Sequence, residues 1–175
     1  AKRPRGPAWV VGQLTHVALR RWRFPDQPKH VLSAVEGFHE FLYPHALAAG
    51  LTDPVEIAAT LNETRRLLTR FQAHPLYAEL SAAQRFHEVP FSLERNGEVT
   101  SGIIDVLYRL NGAGADGWRI VDFKTDEIRS EEQLAEKVEE YRPQVTRYVE
   151  AVRQLMGAAA QSALCFLDVR GAVRV

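Results

Sequence analysis

The sequence predicts an α/β fold: a central mixed β-sheet flanked by helices, with a helical segment ahead of the sheet. Three observations predict it. The first half of the chain places apolar residues at helical spacing between clear start and stop signals. From about residue 86 the pattern changes to runs rich in β-branched and aromatic residues. After three such runs comes a long capped helical stretch and then another apolar run, an order that packs helices on a sheet.

Taken in order, Val10, Leu14 and Val17 give a first helix over 9–22. The Phe24-Pro25-Asp26-Gln27-Pro28 break leads to a second, about 29–49, which Gly50 ends. Asp53-Pro54-Val55-Glu56 is a strong helix start, because Asp53 can accept from a free N–H and Pro54 suits the first helical position. Glu56 completes a capping-box-like pattern, and that helix runs to about Phe71. A short helix is expected over Pro75–Leu80. Phe86–Leu93 and Val99–Leu110 read as strands joined through Asn96-Gly97, the best short hairpin signal. A glycine-rich loop over 111–117 precedes Trp118–Phe123, apolar nearly throughout, as a buried central strand should be. Ser130 opens a further helix, expected to kink or restart near Pro143 and to reach about Met156. Ala163–Val169 is a last apolar strand, and Val173–Val175 the start of another. Residues 1–175 are thus expected to be one domain, with 1–8 a linker, 9–80 helical and 85–175 the sheet core. The chain begins at Ala1 rather than Met, and it is expected to be part of something longer.

Charge and cysteine content bound the function. Twenty-two basic and 22 acidic residues cancel, which argues against a protein that grips phosphate backbones by net charge alone. The cancellation hides an asymmetry: residues 1–30 carry seven basic residues against Asp26 alone, +6, leaving −6 for the rest. Cys165 is the only cysteine, so an intrachain disulfide, a four-cysteine zinc site and an iron–sulfur cluster are excluded. No stretch is long and apolar enough to span a bilayer, and a cytoplasmic location is expected. No Gly-x-x-x-x-Gly-Lys-Ser/Thr occurs, so the chain has no ATPase of that type.

Two carboxylates interrupt apolar strands: Asp105 in Gly102-Ile103-Ile104-Asp105 and Asp122 in Ile120-Val121-Asp122-Phe123-Lys124-Thr125. Charges inside a sheet are costly unless paired or bound to metal. Asp122 and Lys124, two apart on a strand, share a face and could simply be an ion pair. Two aspartates on adjacent strands with a lysine on the same face also meet the needs of a divalent-metal nuclease. Oxygen ligands hold a hard cation, and a lysine stabilises developing phosphate charge.

These elements resemble the PD-(D/E)XK nuclease signature in its RecB-like form. Asp122-Phe123-Lys124-Thr125 followed by Gln144-Val145-Thr146-Arg147-Tyr148 is similar to the nuclease domains at the C-terminal end of RecB-, AddA- and UvrD-type helicase-nucleases. Gly12-Gln13-Leu14-Thr15-His16 resembles that family's histidine motif, and Glu88-Val89-Pro90-Phe91 the strand before its first aspartate. The resemblance implies a restriction-endonuclease-like core and a Mg²⁺- or Mn²⁺-dependent deoxyribonuclease of exonuclease type, acting in repair or recombination. It implies DNA as partner, single-stranded or as duplex ends, and a helicase motor in the same chain or complex. Asp105, Asp122, the backbone carbonyl of Phe123 and His16 would hold the metal; Lys124 would be the catalytic lysine. Gln144 and Tyr148, four apart on one helix face, would orient DNA and the lysine. Glu88 is a minor candidate, and Arg142 and Arg147 flank the Gln–Tyr pair as candidates for phosphate. His30, His39, His45, His74 and His87 gain no such support. The alternative is a module that keeps the fold and binds DNA or partners without catalysis.

Overall fold

The computed structural model describes residues 6–25, 34–112, 117–169 and 171–175. The chain groups into two compact units, 1–73 and 74–175. Among the described residues no helix is long and apolar enough to cross a membrane.

The first unit contains α1 (Ala8–Arg21), α2 (Ala34–Ala48) and α3 (Pro54–Gln72). The α1 helix buries Val10, Leu14 and Val17 on one face and stops where Trp22 enters the left-handed region at φ 51°. Trp22 then stacks edge-on against Phe24 and Phe71. Asp53 caps α3 by accepting from Val55 N at 2.9 Å, with Pro54 at the first helical position as the sequence predicts. Ile57, Leu61, Leu68 and Phe71 form its buried stripe, and Thr60 and Thr64 lie within it. A Cβ on Gly6 would come within 1.8 Å of Thr60 Oγ1, so only glycine allows that approach. Of the helix expected over 29–49, residues 29–33 lie outside the described residues, as does much of the 111–117 loop.

The second unit contains α4 (Pro75–Ala82), β1 (Gln84–Arg95), β2 (Glu98–Arg109), β3 (Trp118–Lys124), α5 (Glu131–Met156), β4 (Ala160–Phe166) and β5 (Gly171–Arg174). His74, left as an ordinary residue by the sequence, caps α4 by accepting from Leu76 N through Nδ1 at 3.1 Å. The five strands form one sheet in chain order. The β1–β2, β2–β3 and β4–β5 pairs are antiparallel and β3–β4 is parallel, so the sheet is mixed. The β1–β2 hairpin turns at Asn96 and Gly97, both at positive φ (54° and 80°), as a tight Asn-Gly turn requires.

The α5 helix does not restart at Pro143. It runs continuously from 131 to 156, with Ser130 accepting from Gln133 N at its start and Gly157 in the left-handed conformation at its end. Pro143 is exposed, so its ring and missing donor fall on the solvent side. The opposite face packs on two apolar clusters. Its N-terminal and middle turns meet Ile128, Leu164 and Phe166 through Val138 and Val145. Its second half meets Phe91, Ile104, Leu107 and Ile120 through Tyr148, Ala151 and Val152. Each fully buried Leu, Ile or Phe contributes roughly 1.5–3 kcal/mol, enough in sum to hold the helix through a lost ladder bond. Cys165 is buried on β4, and burial pushes its thiol up to about 12.

Candidate active site

The geometry of the site begins with a fault in the sheet. Strict alternation would put Ile104 and Leu107, three apart on β2, on opposite faces, yet both join the cluster under α5. The cause lies at one level of the hairpin. Register runs His87↔Val106 and then Val89↔Ile104, and Glu88 and Asp105 between them make no regular pair. Glu88 takes φ 47°, a conformation uncommon for a residue with a Cβ.

The same level ends the β2–β3 ladder, which pairs Val106 to Arg109 with Trp118 to Val121 and goes no further. Beyond it the β3 amide of Phe123 donates to the Asp105 carboxylate at 2.8 Å, so a side chain replaces a backbone partner. Asp105 and Asp122 thus stand on neighbouring strands where these begin to part. The β3 strand continues along β4, with Asp122↔Leu164 and Lys124↔Phe166 in parallel register.

Asp122 is 2 % exposed, and its Oδ2 lies 2.7 Å from Lys124 Nζ. Breaking a buried pair of this kind costs about 3–5 kcal/mol. The pair does not stand alone. Lys124 Nζ donates to Gln144 Oε1 at 2.8 Å, and Gln144 Nε2 donates to Tyr148 Oη at 2.8 Å. Burial first, then the charges of Asp122 and Asp105, push the Tyr148 hydroxyl up to about 12, so both carboxylates act on it. Tyr148 also packs edge-on against Phe91, with ring centroids 5.7 Å apart. A Cβ on Gly102 would come within 2.7 Å of the Phe91 ring and 3.6 Å of the Tyr148 ring. That is a packing reason for the glycine three residues before Asp105.

Asp105, Asp122, Phe123, Lys124, Gln144 and Tyr148 are therefore brought together by β2, β3 and α5. His16 lies half-buried on α1 in the first unit. Glu88 lies on β1 beside His87, whose imidazole is lowered by burial and by Arg85 and raised by Glu88. Arg142 is tied to Glu139 at 2.7 Å, whereas Arg147 is exposed. Among the described residues no three His, Cys, Asp or Glu side chains gather into a metal-holding set. The site where β2 and β3 part sets two carboxylates, Asp105 and Asp122, beside one lysine. That excess negative charge, on oxygen donors, fits a hard divalent cation.

Sequence reasoning missed two residues at this site. Tyr141 lies with its ring 3.9 Å from Lys124 Nζ. Asp126, two residues past Lys124, accepts from the Tyr141 hydroxyl at 3.1 Å. The signal was present: Tyr141, Gln144 and Tyr148 are spaced three and four apart, one face of a helix.

A sequence model of the PD-(D/E)XK nuclease superfamily matches residues 2–173. No curated protein matches the chain. Among solved structures, protein VC1899 from Vibrio cholerae aligns with 92% of this chain at 12% identity and a TM-score of 0.29. The chain spans about half, 47%, of that protein's length.

Proposed function

The chain belongs to the PD-(D/E)XK nuclease superfamily, and from that premise we propose that it is a divalent-metal-dependent deoxyribonuclease of the RecB-like kind. It hydrolyses phosphodiester bonds as an exonuclease in DNA repair or recombination. Its substrate is single-stranded DNA, or a duplex end, delivered by a helicase motor in the same chain or complex. The observation that carries the proposal is the continuous chain Asp122–Lys124–Gln144–Tyr148 beside Asp105. A buried ion pair needed only for stability is commonly replaceable by apolar residues. Here a strand and a helix converge to hold one ammonium beside carboxylates.

Asp105 and Asp122, with the backbone carbonyl of Phe123, would hold Mg²⁺ or Mn²⁺; the role of His16 rests on its motif alone. When bound, such an ion activates water and neutralises charge on the phosphate. The protein's own contribution is positional. Lys124 presents a fixed positive charge where negative charge develops on phosphate oxygens. Gln144 holds Nζ from the helix side, accepting from it while donating to Tyr148. Tyr148 keeps its proton over the working pH range because its hydroxyl is pushed up to about 12.

The neutral net charge agrees with a domain to which a larger machine delivers DNA, and it predicts weak, salt-sensitive affinity for the isolated chain. The test is cleavage of single-stranded and end-labelled duplex DNA with Mg²⁺ and with Mn²⁺, beside Lys124→Ala. Metal-dependent cleavage that falls on the order of 10²–10³-fold in the variant is expected. A wild-type chain inert with both metals and both substrates would leave a non-catalytic DNA-binding module as the reading.

A further inference from the structure

We infer that Tyr141 is a positioning residue for Lys124, holding its ammonium against the ring face, and that Asp126 fixes the ring for that task. The inference rests on the reading of Lys124 as the residue that meets phosphate. Lys124 Nζ lies 3.9 Å from the centre of the Tyr141 ring, well within the ~6 Å over which an aromatic face attracts a cation. The same nitrogen pairs with Asp122 Oδ2 at 2.7 Å and donates to Gln144 Oε1 at 2.8 Å. An ammonium has three N–H donors and no acceptor. The Gln144 oxygen accepts from it, the Asp122 carboxylate pairs with it, and the ring closes another side with a surface that attracts positive charge without accepting the proton. A lysine on four flexible carbons is thereby confined to one place.

The ring is itself confined. Its hydroxyl lies 3.1 Å from both Asp126 carboxylate oxygens. Asp126 is held in turn by Lys137 at 3.3 Å, and Lys137 also pairs with Glu140 at 2.7 Å. The ring packs against Phe166, the β4 partner of Lys124 in the sheet register. Burial and the Asp126 charge push the Tyr141 hydroxyl up to about 12, so it remains a donor to that carboxylate. Packing alone does not account for this. Tyr141 sits at the edge of a cluster of Ile128, Val138, Val145, Leu164 and Phe166, where a leucine would serve equally well. A cation on the ring face and a carboxylate on the hydroxyl are what a leucine could not supply. Lys137, Tyr141, Gln144 and Tyr148 thus make one stripe of α5 along the strand that carries Asp122 and Lys124.

The test compares Tyr141→Leu and Tyr141→Phe in the full chain, with two readouts. The first is the proton chemical shift of the Lys124 ε-methylene, which a ring at this distance moves upfield. The second is kcat and KM for single-stranded DNA with Mn²⁺. The shift should be present in wild type, kept in Tyr141→Phe and lost in Tyr141→Leu. Tyr141→Leu should lower kcat about tenfold with KM unchanged within about twofold, and Tyr141→Phe should restore most of the rate. An unshifted ε-methylene in the wild type overturns the inference without any variant, so a Tyr141→Leu chain that fails to fold does not protect it. Full kcat in Tyr141→Leu, or a loss in Tyr141→Phe as large as in Tyr141→Leu, overturns it as well. Lys124→Ala as active as wild type would instead remove the functional reading beneath it.

Discussion

In the first unit Thr15, Thr60 and Thr64 are fully buried, and each hydroxyl donates to the carbonyl four residues back on its own helix, at 2.7, 2.8 and 3.0 Å. In the second, Asp122 is as deeply buried, but its chain of partners leaves β3 for α5 and ends at Tyr148. The threonine hydroxyls find their acceptors on their own helices, so a valine at Thr64 should have little consequence for the rest of the fold. The carboxylate pairs with Lys124, and a second element reaches that lysine through Gln144. A buried charge with distant partners is a poor route to stability, which is why the second arrangement directs attention to chemistry and the first does not.

The sharpest way to break this comparison is Asp122→Asn, which keeps the shape and removes the charge. DNA cleavage should fall on the order of 10³-fold while far-ultraviolet circular dichroism stays unchanged. Retention of half the activity would place Asp122 with the threonines, as a structural group only. The counterpart is Thr64→Val. A hydroxyl bonded to its own helix contributes a net of about 0.5–1.5 kcal/mol. The variant should therefore change stability by no more than about 1 kcal/mol in denaturant titration and activity by less than twofold. A larger loss would show that Thr64 supports more than α3.

A smaller effect is expected at alkaline pH. Tyr141 and Tyr148 are both pushed up to about 12, chiefly by burial, against an ordinary value of 10. The folded chain therefore holds these protons to higher pH than the unfolded one. The stability they lend is complete below pH 10 and is lost as pH rises toward 12. Urea titrations at pH 9 and pH 11.5 should show that decline, and Tyr148→Phe should flatten it. An equal slope in the variant would mean that the decline arises elsewhere.

Much of this was legible in the residues themselves. Asp53-Pro54 gave the start of α3 because a cap and a proline act locally. Asn96-Gly97 gave the hairpin because few residues tolerate two consecutive positive φ angles. Asp122 and Lys124 were placed on one face by the period of a strand, and they meet. What stayed hidden depends on long-range packing. Pro143 reads as a break, but α5 runs through it because its buried face rests on two clusters drawn from β1 to β4. Glu88 reads as an ordinary strand position, but its positive φ lets the face of the hairpin change beside Asp105. Tyr141 went unread, because no local rule places a lysine from β3 over its ring.

The central claim is that Asp105 and Asp122 form the oxygen-donor pair of a divalent-metal site. Calorimetric titration of Mn²⁺ into the wild-type chain and into Asp105→Asn/Asp122→Asn tests it most directly. Saturable binding in the wild type, weakened by at least about 100-fold in the double variant, is the result the account predicts. Equal binding by the two proteins, or none by the wild type, would contradict it.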